Sequence, residues 1–262
     1  MKPRLMGVVN VTPDSFSDGG LYLEPEAAIA HGAELADEGA DILDVGGEST
    51  RPGAAEVGVG EEIARTEPVV SDLAALGHTI SIDTSKAAVA EAALAAGATI
   101  VNDVTAMRAD PEIGALCADR GAELVLMHMQ GTPRTMQDAP AYDDVVEDVR
   151  AFLAERIEAA IAAGVAEERI WVDPGIGFGK TLEHNLELLR RLGELRALGR
   201  PILVGTSRKS FIGKVDGSGA EQRIGGTIAS SVLAIAEGAD VLRVHDVAEA
   251  AQAAKVAAAI LG

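Results

Sequence analysis

The 262-residue sequence has a single cysteine, Cys117, which rules out a disulfide framework and fits a reducing compartment. Aromatic residues supply only 3% of it, so its core must be filled largely by aliphatic side chains. Basic residues are scarce: 22 Lys and Arg stand against 41 Asp and Glu, for a net charge of −19. A field of that sign repels nucleic acid and anionic membranes, so neither is expected as a partner, and any anionic substrate must be received by a locally cationic pocket. No apolar run reaches the roughly 20 residues that span a bilayer. Met1–Arg4 passes within a few residues into a strand-like segment and leaves no room for a signal peptide, so a soluble, cytoplasmic protein is expected.

Several chemistries are missing as well. The five His are scattered, with no H-E-x-x-H and no paired Cys to hold a metal. No G-x-S-x-G nucleophile elbow occurs, and nothing else resembles an activated nucleophile, so covalent catalysis is not expected. Asp14-Ser15-Phe16-Ser17-Asp18 lacks the remaining ligands of a calcium loop. The first apolar run is followed by Asn10-Val11-Thr12-Pro13-Asp14 in place of the G-x-G-x-x-G turn of a dinucleotide-binding sheet.

What the sequence does have is a βα rhythm from end to end. Short β-branched runs predict strands at Leu5–Asn10, Asp41–Val45, Thr79–Asp83, Thr99–Asn102, Glu123–Met127, Ile170–Asp173, Ile202–Gly205 and Val241–Val244. Helical spacing fills stretches between them, such as Glu24–Glu38, Lys86–Ala96, Val145–Ala163 and His184–Leu192. Gly39, Gly97, Gly121, Gly164 and Gly238 each stand where a helix must close before the next strand, the position that favours a left-handed residue. Polar, Gly-rich stretches at Asp14–Tyr22, Gly46–Gly60, Gly131–Pro140 and Lys214–Gly219 read as loops. Eight such units in about 260 residues, with no composition shift, predict one domain over residues 1–262: an α/β fold of the single (β/α)8, or TIM, barrel type.

Nearly every predicted strand ends in a polar residue: Asn10, Asp44, Asp83, Asn102, His128, Asp173, Ser207 with Lys209, and Arg243 with His245. In a closed barrel these ends converge on one mouth, where active sites are built. Any one of them can be an ordinary solvent-facing strand end; the convergence of all eight is harder to dismiss. Asp83 and Asp173 can each accept two parallel hydrogen bonds from adjacent N–H groups of a heterocycle, Asn102 offers a donor and an acceptor, and Lys209 a cation for a ring carbonyl. The alternative is a network of mouth salt bridges such as Asp173–Lys209. Arg243 and His245 fall on one face of the last strand, and with Asn10, Arg51 and a divalent metal can hold a pyrophosphate. Gly205–Ser210 opens a helix whose N-terminus suits an anion, or is an ordinary Ser cap. Asp173–Lys180 lacks Walker spacing, and its glycines read as a tight loop that lets backbone approach a ligand.

Taken together, these segments resemble the dihydropteroate synthases. Met6–Gly20 is similar to the first family signature and Asp44–Gly53 to the second. Further matches are Ser81–Thr84, Val101–Val104, Met127–Pro133, Asp173–Lys180, Gly205–Ser210 and Arg243–Asp246, in family order and one per strand. The resemblance implies that p-aminobenzoate displaces pyrophosphate from 6-hydroxymethyl-7,8-dihydropterin pyrophosphate to give 7,8-dihydropteroate, a step of folate biosynthesis. It implies that Asp83, Asn102, Met127, Asp173, Gly205 and Lys209 bind the pterin. Asn10, Thr50, Arg51, Arg243 and His245 would hold pyrophosphate, with Asn10 on Mg²⁺. Pro52, Phe178 and Ser207 would touch p-aminobenzoate, and loops carrying Asp14, Phe16, Thr50 and Arg51 would join Lys209 in catalysis. A homodimer is implied too. Ser85 departs from the Tyr frequent after Asp-Thr in the family. A methyltetrahydrofolate-dependent methyltransferase has no need of Ser49–Pro52 or of Arg243 and His245, and a non-catalytic pterin-binding paralogue would be expected to lose Asp14 or Arg51; all of these residues are present.

Overall fold

The structure, a computed structural model, describes residues 3–12, 25–49, 56–132 and 135–262. Among them, eight strands alternate with helices: β1 (Arg4–Asn10), α1 (Pro25–Glu38), β2 (Ile42–Gly46), α2 (Val59–Ala75), β3 (Ile80–Asp83), α3 (Ala87–Ala96), β4 (Ile100–Asp103), α4 (Glu112–Arg120), β5 (Glu123–Met127), α5 (Val145–Ala162), β6 (Ile170–Asp173), α6 (Leu182–Arg190), β7 (Leu203–Val204), α7 (Ser210–Asp216), α8 (Ile224–Ala236), β8 (Val241–Val244) and α9 (Val247–Leu261). All strand pairs are parallel, in the order β6-β5-β4-β3-β2-β1-β8-β7. A parallel bridge between Val172 and Ile202, with Val172 N donating to Pro201 O at 2.9 Å, brings β6 back to β7 and closes the barrel.

The strands read as continuous apolar runs because both of their faces are buried. Outward residues such as Val45, Ile82, Val101, Leu124 and Leu242 pack with the helices in the main core. Inward residues form a separate cluster made of strand side chains alone: Met6, Ile42, Ile100, Val125, Trp171, Leu203 and Val241. This plug fills the lower barrel, with the Arg4 guanidinium 4.5 Å from the centre of the Trp171 ring. Because strand side chains repeat every two residues, the next inward position on six of these strands is Asp44, Asn102, Met127, Asp173, Gly205 and Arg243. An apolar layer thus carries a polar one directly above it.

The structure shifts several predicted boundaries. β7 keeps only two residues of the expected Ile202–Gly205. The 46–60 and 214–219 stretches read as loops overlap the start of α2 and the end of α7. α6 starts at Leu182, ahead of the expected His184, because Thr181 caps it: Thr181 Oγ1 accepts from His184 N while Thr181 N donates to His184 Nδ1, each at 3.2 Å. A capping box is normally sought through Glu or Gln at this third position, so the His escaped the pattern. The five helix-closing glycines do adopt positive φ, from 60° at Gly121 to 116° at Gly97.

Candidate active site

Asn10, Gly46, Asp83 and Asn102 form one register row across β1 to β4. Arg243 reaches this row from β8. Its Nε donates to Asp44 Oδ2 at 2.6 Å and its Nη2 to Asp83 Oδ2 at 2.7 Å. Asn102 Nδ2 donates to the same Asp44 oxygen at 3.1 Å. Asp44 is completely buried, and its Oδ1 has no hydrogen-bond partner among the described residues. Desolvation pushes Asp83 up to about 7; Arg243 opposes the shift and Asp44 adds to it. Burial pulls Arg243 down, but Asp44 and Asp83 more than offset it and hold the guanidinium above its ordinary value. A carboxylate this close to neutrality can be tuned by whatever enters beside it.

On the other side of the mouth the loop leaving β6 does the work with backbone. Asp173 Oδ1 accepts from Gly175 N at 2.6 Å, and burial raises its carboxyl against the pull of Lys209 and of that N–H. Gly175 has φ +66°, and a Cβ there would lie 1.9 Å from His128 O, so only glycine lets the two exits touch. Lys209 Nζ donates to Ile176 O and stands 4.8 Å over the Phe178 ring. Burial lowers Lys209 to about 8, with Asp173 opposing. Met127, Met129, Met136 and Val104 form an apolar patch against Phe178. Gly205 fits between the cations: a Cβ there would be 3.6 Å from Arg243 Cβ and 3.7 Å from Lys209 Nζ.

Ser207 Oγ sits 3.0 Å from His245 Nδ1 and accepts from His245 N at 3.1 Å, which joins the exits of β7 and β8. The alternative of an ordinary Ser cap is not what begins α7. The cap is Lys209, with no side-chain hydrogen bond, and the helix has seven residues. The mouth does contain ion pairs, though the Asp173–Lys209 bridge foreseen as the bland alternative is not how Lys209 is held; Arg243 makes them, with Asp44 and Asp83.

The chain matches the family described as pterin binding enzyme over residues 6–245. It is 49% identical over 261 residues to the dihydropteroate synthase of Neisseria meningitidis serogroup B, covering 97% of this chain and 92% of that one. The Escherichia coli K12 dihydropteroate synthase is 48% identical over 262 residues, at 99% and 92% coverage. Among solved structures, Xanthomonas albilineans dihydropteroate synthase with 4-aminobenzoic acid superposes with TM-score 0.93 and 51% identity, covering 99% of this chain and 93% of that one. The same species' enzyme in complex with 7,8-dihydropteroate gives TM-score 0.89 and 48% identity, at 99% and 94% coverage.

The chain is a member of the dihydropteroate synthase family.

Set against the family's expected residues, the mouth brings together Asn10, Asp83, Asn102 and Arg243 on one side and Met127, Asp173, Phe178 and Lys209 on the other, with Gly205 between and Ser207 against His245. Asp14, Phe16, Thr50, Arg51 and Pro52 lie outside the described residues. Among the described residues no group of three or more His, Cys, Asp or Glu is arranged to hold a metal. Asp44, in sequence no more than one of the polar strand ends, braces both Arg243 and Asn102. Its inward register, two residues after Ile42, was the available signal. A second cluster lies behind β3. Glu62 of α2, fully buried, takes Lys86 Nζ at 2.5 Å and Thr84 Oγ1 at 2.7 Å, and Lys86 also pairs with Glu48 and donates to Val57 O at 2.9 Å. These residues come from separate segments, so no local motif announces them.

Proposed function

We propose that this mouth joins 6-hydroxymethyl-7,8-dihydropterin pyrophosphate to p-aminobenzoate, forming 7,8-dihydropteroate and pyrophosphate. The observation that carries the reading is the pair of buried carboxylates, Asp83 and Asp173, on opposite sides of a mouth that also holds Asn102, Lys209 and Arg243. Asp83 and Asp173 accept the N–H groups of the pterin, Asn102 reads the same ring, and Lys209 donates to its carbonyl. Met127 and Gly205 shape the slot. Arg243, which already neutralises two carboxylates, and His245 face the pyrophosphate together with Asn10. The leaving group departs as a multiply charged anion, so cations fixed in place stabilise the charge as it develops. Phe178, Ser207 and Pro52 orient the aryl amine, a neutral nucleophile for which alignment matters more than deprotonation; alignment of this kind supplies up to ~7–11 kcal/mol in favourable cases. Asp14, Phe16, Thr50 and Arg51 complete the catalytic set.

The donor set suits Mg²⁺ only as an ion carried with the pyrophosphate. Asn10 offers it one oxygen, and magnesium commonly keeps water and substrate phosphates as its other ligands. Bound there, it would offset negative charge on the leaving group. A homodimer through the outer helices belongs to the same proposal and is supported by exposed Leu233 on α8 and Val256 and Ile260 on α9. A cytoplasmic location is supported by the lone buried Cys117; no helix among the described residues is long and apolar enough to cross a membrane.

The test is pyrophosphate release by the purified protein with the pterin pyrophosphate and Mg²⁺, with and without p-aminobenzoate. Release that depends on p-aminobenzoate and yields dihydropteroate is the expected result. Tight pterin binding without turnover would point to a non-catalytic binder, and no binding would end the reading.

A further inference from the structure

Lys180 ends the β6 exit loop and has no part in the roles above. It is 1% exposed, among the largest fully buried side chains of the molecule. Its Nζ lies 2.9 Å from Phe178 O, 2.9 Å from His128 Nδ1 and 3.4 Å from His128 O. Burial first, then Lys180 and Arg108, push His128 down to about 2, so its imidazole is neutral. Nζ thus meets three polar atoms, two of them backbone carbonyls. Burial pulls Lys180 well below the ordinary lysine value, with Asp173 opposing, and a polar group buried this deeply with all its partners met calls for a reason beyond filling space.

The reason lies in what the two partners carry. Phe178 is the ring beneath Lys209, packed against Met127, Met129 and Met136. His128 follows Met127 directly, and its carbonyl is the atom Gly175 touches. One amino group therefore ties the chain just past β5 to the chain just past β6, across the barrel from the register row of Asn10 and Gly46. The rest of the loop has other anchors: Tyr142 Oη donates to Gly179 O at 2.6 Å and Gly177 N to Asn185 Oδ1 at 2.6 Å. Losing the lysine should loosen Phe178 without releasing the loop.

We infer that Lys180 is a positioning residue for p-aminobenzoate: by holding Phe178 O and His128 it fixes the Phe178 ring, and it makes no hydrogen bond to the pterin residues Asp83, Asn102 and Asp173. The inference rests on the reading of this mouth as a dihydropteroate-forming site. The experiment is steady-state kinetics and calorimetry on Lys180→Met, which keeps the length and apolar volume, and on His128→Phe, which keeps a ring and removes Nδ1. Lys180→Met should raise KM for p-aminobenzoate about tenfold, with kcat and the pterin pyrophosphate Kd changing less than about threefold. His128→Phe should show the same split more weakly. Unchanged KM in both variants overturns the inference. So does equal loss of both substrates, or failure of both variants to fold, since either assigns Lys180 to stability alone. Wild-type protein without p-aminobenzoate-dependent turnover would instead defeat the functional reading, and the inference with it.

Discussion

The two sides of the barrel mouth are held by different means. Beside β2, β3 and β8, side chain binds side chain: Arg243 spans Asp44 and Asp83, and Asn102 shares the Asp44 oxygen. Beside β5 and β6, backbone does most of the holding. Gly175 N caps Asp173, Ile176 O takes Lys209, and Phe178 O and His128 O take Lys180. The first side places charges against one another and leaves them responsive to a bound ligand. The second places a flat ring against methionines and ties its own charged groups, Asp173 and Lys209, to backbone.

The comparison can be broken most severely at Arg243. Arg243→Met leaves Asp44 and Asp83 buried without their countercharge, and breaking such a pair is expected to cost about 3–5 kcal/mol of folding stability. Urea denaturation checks this; a loss under about 1 kcal/mol would mean that the network reorganises freely. Gly175→Ala attacks the other side. It forces a side chain onto φ +66° and onto His128 O, for about 2–4 kcal/mol, with stability read by the same method. If it were harmless, the two exits would not be in the contact described. Asp173→Ala should leave the fold standing and weaken pterin pyrophosphate binding about 100-fold, the worth of one or two charge-assisted hydrogen bonds. Wild-type affinity by calorimetry would remove Asp173 from the pterin site.

The mildest expected effect is on pH. In its proposed role Asp83 must be ionised to accept two N–H groups, and burial pushes it up to about 7. Lys209 must be protonated to donate, and it titrates near 8 for the same reason. Pterin affinity should therefore be greatest between about 7 and about 8, falling up to tenfold per pH unit on either side. Asp83→Asn should remove the acid limb and Lys209→Met the alkaline one. A flat calorimetric profile from pH 6 to 9 would contradict both shifts.

The barrel was legible because its signals are local. Strand runs, helix spacing and the closing glycines at positions such as Gly97 and Gly121 each depend on a few neighbouring residues. β7 was overdrawn because an apolar run shows strand propensity without showing where pairing stops. The polar strand ends could be counted from the sequence, and the side chains at Asp83, Asn102, Asp173, Lys209 and Arg243 do meet at one mouth. What they bind when they meet was not legible. Arg243, proposed to face the pyrophosphate, is also held by two carboxylates 199 and 160 residues away in the chain, which no local pattern announces.

Sequence by itself determined the (β/α)8 class, the end of the barrel where polar residues gather, and the family, because each is written in short-range pattern repeated eight times. Only the tertiary structure decided that Asp44 braces the mouth, that Glu62 and Lys86 back β3, and that Lys180 links two strand exits. The physical reason is the same in every case. A buried charge has to find its partner across the fold, and closing the barrel is what brings together residues that the chain keeps far apart.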